Sequence, residues 1–168
     1  MKKVLKISTA LLMVLSIFII YFSAIAATVV SYELVTDINE LSIGDTIIIT
    51  DSDNTKALST IQNKNNRGTV AIELIDGIIQ YNSEIQEITL ESGLIADTFA
   101  LNAGNGYLYA ASSSSNYLRT ESTLSNNSSW KITISNNIAT IISQGDYTRN
   151  NLKYNKSSNI FSCYSSGQ

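Results

Sequence analysis

The chain is expected to be all-β, a β-trefoil-like barrel of three pseudo-repeats, on three observations. Short runs rich in β-branched and aromatic residues follow one another along its length. Turn-forming Asn, Asp, Gly and Ser clusters separate them. The pattern then returns with a period of roughly forty to fifty residues, within the range of repeat architectures.

Taken in order, the strand signals are "TIIIT" (46–50), "KALST" (56–60), "TVAIEL" (69–74), "GIIQY" (77–81), "EITLE" (87–91) and "TFAL" (98–101). They continue with "YLYAA" (107–111), "YLRTE" (117–121), "WKITI" (130–134), "ATIIS" (139–143), "NLKYN" (151–155) and "IFSCY" (160–164). In "WKITI" the alternation is strict: Trp130, Ile132 and Ile134 share one face, Lys131 and Thr133 the other. Helical spacing is scarce. Residues 38–45 could form one helical turn or a tight loop, and 33–41 reads equally as a strand or an entry helix.

Aligning Leu108 with Leu152 and Leu118 with Phe161 gives offsets of 44 and 43 residues. Leu58 takes the same place in an earlier copy, with Ile47–Ile49 upstream. Each unit offers about four strands, and no hairpin can bury its apolar face alone, so the units must pack together. The third unit lacks its last strand, because the sequence reaches "SSGQ" after "IFSCY". A β-sandwich is the alternative architecture.

The N-terminus reads as a secretory signal peptide. Lys2, Lys3 and Lys6 precede a stretch without charge to Tyr32, whose first, almost wholly apolar part ends in Ala24-Ile25-Ala26, which a signal peptidase accepts. Cleavage is expected after Ala26, leaving 27–168 as a single all-β domain, secreted and extracellular. If the segment stays uncleaved, it is about long enough to anchor the chain at the cell surface. That is the only membrane contact expected.

The full chain of 168 residues carries a formal charge of −3. Without the three leader lysines, eight basic residues face fourteen acidic ones. A duplex-binding surface needs a basic stripe, so no direct nucleic-acid contact is expected. There is no histidine. That removes the usual general base, the commonest metal ligand and every nucleophile activated by imidazole. No catalytic residue, metal site or cofactor is therefore assigned, and the chain is read as a non-enzyme. Asp51 and Asp53, the closest acidic pair, fall in "TDSDNTK", where Asp and Asn are ordinary turn residues. The single cysteine, Cys163, lies in an apolar strand and is expected to be a buried small hydrophobe. Trp130 is expected in the core.

Binding is better served. Nine tyrosines and three arginines supply flat apolar faces and forked donors, which is what sugar or peptide recognition needs. The candidate binding residues are Arg67, Tyr109, Arg119, Arg149, Asn150, Asn151 and Tyr154. Arg149, Asn150 and Asn151 with a nearby tyrosine would form a shallow polar pocket. The competing reading has the arginines tying loops together and the tyrosines paving the hairpin cap.

The stretches "LSIGDTIIIT", "ALSTIQNKNNRG", "NGYLYAASSSSNYLRTE", "SSWKITI" and "TRNNLKYNKSSNIFSCYSSGQ" resemble a recurrent β-rich module of secreted bacterial proteins. The resemblance covers most of 41–168. It implies a module that sits at the end of longer chains, beside immunoglobulin-like domains or extracellular nucleases, and that continues past "SSGQ" into one more short strand. It brings no ligand with it. The expected function is a secreted, non-catalytic binding or adhesion module for a glycan or cell-surface polymer. The alternative is a structural accessory domain, or a truncated remnant of a larger secreted nuclease or adhesin.

Overall fold

The computed structural model describes residues 30–166. The expected signal segment, its expected cleavage after Ala26 and the last two residues lie outside them.

The described chain is all-β. In order it forms β1 (Ser31–Glu33), β2 (Thr46–Ile47), β3 (Lys56–Gln62), β4 (Arg67–Ala71), β5 (Leu74–Ile75), β6 (Ile78–Gln80) and β7 (Ile88–Ser92). There follow β8 (Phe99–Asn102), β9 (Tyr107–Ala110), β10 (Leu118–Glu121), β11 (Ser129–Ser135), β12 (Ile138–Ser143), β13 (Asn151–Asn155) and β14 (Ile160–Tyr164). Each of the twelve runs expected to be extended contains strand. The ambiguous segment around residue 38 resolves as one 3-10 turn, Ile38–Glu40. Asp37 caps it and Glu40 reaches back, so two orphan N–H groups are satisfied reciprocally.

The pairing is antiparallel throughout. The strands β2, β7, β8, β11 and β12 lie side by side in that order. The hairpins β3–β4, β9–β10 and β13–β14 branch from this row. Chain continuity and hydrogen bonds join β2 to β3, through Leu58 N–H on the Ile49 carbonyl. The β8–β9 and β12–β13 pairs do the same for the second and third hairpins. In a separate three-stranded sheet, β1–β6–β5, Ile79 of β6 packs with Ala57 of β3 and Ile85 in a second, small cluster. The sheets do not close into a barrel: among the described residues no strand joins β12 to β2.

One main core draws on all three hairpins. Leu58, Leu108 and Leu152 are all buried in it, with Leu101, Leu118, Trp130 and Phe161. Burial of each such side chain stabilises by about 1.5–3 kcal/mol. Trp130 sits here as expected, and its indole N–H donates to the Leu108 carbonyl at 2.8 Å. Cys163 is fully buried too.

The three hairpins interlock by one rule. Leu58 faces Thr69, Leu108 faces Thr120 and Leu152 faces Cys163 across their hairpins. Two residues before each of those partners stand Arg67, Leu118 and Phe161, and all three are buried. Two residues before those stand Asn65, Asn116 and Asn159, whose carbonyls each accept from the next hairpin. Leu118 N–H donates to Asn65 at 2.9 Å, Ser162 Oγ to Asn116 at 2.7 Å and Thr69 Oγ1 to Asn159 at 3.5 Å. At Gly106, φ is +136°, and a Cβ would come within 2.4 Å of the Glu121 carbonyl oxygen. Only glycine lets the β8–β9 turn pass that close to β10.

Candidate functional site

The seven candidate residues separate into three places. Arg67 is fully buried at the hairpin end of the core. Its guanidinium donates to Gln86 Oε1, and at 3.4–3.5 Å to Thr120 Oγ1 and Gln62 Oε1. Its Nε has no hydrogen-bond partner, and burial lowers its pKa. A guanidinium in this position is a strut from β4 to the end of β3, to β10 and to the segment just before β7, out of reach of a surface ligand.

Arg119 and Tyr109 do meet. They are cross-strand partners in the β9–β10 hairpin. The Arg119 carbon centre lies 4.7 Å over the Tyr117 ring, in cation–π range. Its Nε donates to Asn65 Oδ1 at 3.1 Å and its Nη2 to the same oxygen. The turn chemistry explains why an asparagine waits there: short amides stabilise turns and leave an oxygen free to accept. Arg149, in the loop between β12 and β13, repeats the contact one hairpin on, donating to Asn116 Oδ1. Asn150 is committed to the backbone. Its Nδ2 donates to the Ser143 carbonyl at 3.0 Å, and its own carbonyl accepts from Ser143 N–H at 2.9 Å.

Asn151 and Tyr154 belong elsewhere. Both line a wide groove of about 1160 Å³ between β12–β13 and β2. Tyr154 packs on Phe161, ring centroids 5.4 Å apart, and donates its hydroxyl to Asn159. The expected pocket of Arg149, Asn150 and Asn151 is thus three neighbouring residues with three different duties. Asn65, Asn116 and Tyr117, none of them among the seven candidates, are the ones that hold the two half-buried arginines at the hairpin turns. Their signal was the spacing Asn-x-Arg, Asn-x-Leu, Asn-x-Phe at 65–67, 116–118 and 159–161.

Asp51 forms a turn. Its carboxylate accepts from Thr55 N–H and Lys56 N–H, both at 2.7 Å, and from Thr55 Oγ1. Asp53 is exposed beside it. Among the described residues no group of three or more Asp, Glu, Cys or His side chains is placed to hold a metal ion, and no helix is long and apolar enough to cross a membrane. No protein-family model, curated protein or solved structure matches the chain.

Proposed function

We propose that the chain is an exported, non-catalytic binding module of β-trefoil plan that holds a glycan or cell-surface polymer on its hairpin-turn surface. The trefoil reading is supported by three hairpins that share one core and hand hydrogen bonds around from Asn65, Asn116 and Asn159. One observation carries the binding reading. Tyr109, Tyr117 and Arg119 form a half-exposed platform in which the guanidinium carbon lies over the Tyr117 ring, with two of its nitrogens held by Asn65. A pre-oriented fork beside aromatic faces offers apolar contact and directed hydrogen bonds at small entropic cost. Nη1 of Arg119 remains to donate to a hydroxyl or carboxylate of the ligand.

A glycan array probed with the purified chain tests this. Saturable binding to a glycan subset is expected, falling about tenfold or more for Tyr117→Ala and Arg119→Ala, the loss of about one good contact each. A silent array, or binding untouched by both substitutions, rejects the reading.

A further inference from the structure

The row β2, β7, β8, β11 and β12 ends in two edges, and both open on the groove. On β12 the pairing with β13 covers Ile141 and Ile142, and residues 138–140 pair only with β11. On β2 the pairing is with β7 alone. Every step along the row is antiparallel, so the first and fifth strands run the same way. They are therefore unable to pair with each other as antiparallel neighbours. A single strand laid between them would be antiparallel to both.

The groove between the two edges has an apolar floor. Ile47, Ile49, Ile141, Leu152 and Phe161 line it, and Ile138 stands at its margin with 47% of its surface exposed. An exposed edge beside an apolar face invites strand addition unless a charge or proline guards it. Residues 138–140 carry neither. The rim is also lopsided in charge: Glu33, Glu40 and Asp45 line the groove against one base, Lys153.

We propose that this groove accepts one extended strand from a partner polypeptide, four or five residues long, apolar at alternate positions and carrying Lys or Arg at its ends. The inserted strand would pair with 138–140 of β12 on one side and with β2 on the other. Its inward side chains would cover Ile49 and Ile141, and its basic ends would meet the acidic rim. The inference does not depend on the polymer-binding surface, which uses other residues.

Fluorescence anisotropy with the purified full chain and a labelled peptide, Lys-Val-Thr-Val-Ser-Val-Lys, tests it. Saturable binding is expected. Glutamates in place of the terminal lysines should weaken it about tenfold or more by placing like charges together, and a central proline should abolish it by removing a ladder N–H. Ile138→Lys, a change at an exposed position, should weaken the lysine peptide by a similar factor while the far-ultraviolet spectrum stays native. The proposal fails if a chain with that native spectrum binds no peptide, or if the proline peptide binds equally well. It also fails if binding appears only after residues 1–29 are removed, which would give the groove to the chain's own N-terminus. A peptide-free dimer that Ile138→Lys dissociates and the peptide leaves intact would give the groove to a second copy and overturn the proposal too.

Discussion

Arg67 occupies in its hairpin the place that Leu118 and Phe161 occupy in theirs, so a cation sits where two equivalent positions are apolar. Its hydrogen bonds go to neutral groups, and Gln86 in turn donates to the carbonyls of Glu87 and Ala103. Arg67→Ala would leave a cavity and strand Gln86 Oε1, so a loss of about 3 kcal/mol is expected. Arg67→Met refills the volume and removes a desolvated charge, and should cost clearly less. Urea unfolding of the two variants checks the ranking. Cys163 makes a second prediction at this scale. Burial pushes its thiol well above the ordinary range. The unfolded chain then loses that proton first as pH rises, so stability held below the ordinary thiol pKa is lost from about pH 8.5 upward. Tyr32, raised by burial and by its bond to Glu87, adds loss of the same sign at higher pH. The urea midpoint should fall between pH 8 and pH 10 on these grounds, and Cys163→Ala should flatten the first part of that fall. The native thiol should also resist aromatic disulfide reagents until urea unfolds the chain.

The hairpin is the element that carries the fold, and β9–β10 shows how its parts share the load. Leu108 and Leu118 are fully buried, whereas the serines between the strands are half-buried or exposed. Leu108→Ala and Leu152→Ala should each cost about 2–5 kcal/mol by chemical denaturation. Ser114→Ala should be close to neutral. Ser113 differs from its neighbour, because its hydroxyl and carbonyl accept from Thr148 at 3.1 and 3.3 Å and tie this turn to the next. Ser113→Ala should therefore cost about 0.5–1 kcal/mol. The strands were readable because β-branched runs bounded by Asn, Asp and Gly have few alternatives. The small sheet was not, since β1 and β6 pair across more than forty intervening residues, and a three-residue strand leaves no local period. Among the site residues, Arg119 and Tyr109 were readable as neighbours of a turn. The burial of Arg67 was not, because an arginine after "NN" ordinarily points to water. Only its alignment with Leu118 and Phe161, a comparison among the three hairpins, reveals the inward position.

At the scale of the molecule, the three hairpins share one main core. Leu58, Leu108 and Leu152 come from different hairpins and lie in one cluster, and the Asn65, Asn116 and Asn159 carbonyls pass hydrogen bonds from each hairpin to the next. A unit that opened alone would expose its leucine and strand its neighbour's donor, so partial unfolding gains little entropy for a large loss of contact. One cooperative transition is expected, in which Leu58→Ala, Leu108→Ala and Leu152→Ala all move the same midpoint. Two transitions, or a variant that shifts only one probe, would show that the units fold independently. Stability is nevertheless uneven within that single transition. Residues 141–143 of β12 are bonded on both sides, while 138–140 are bonded on one and face the groove. Hydrogen exchange should therefore be markedly faster over 138–140 than over 141–143, because opening at an edge needs only a local excursion. Adding the lysine-flanked strand peptide should slow exchange at 138–140 and leave 141–143 unchanged. Slow exchange at 138–140 without peptide would mean that these amides are already protected, and that the row of strands is closed in solution.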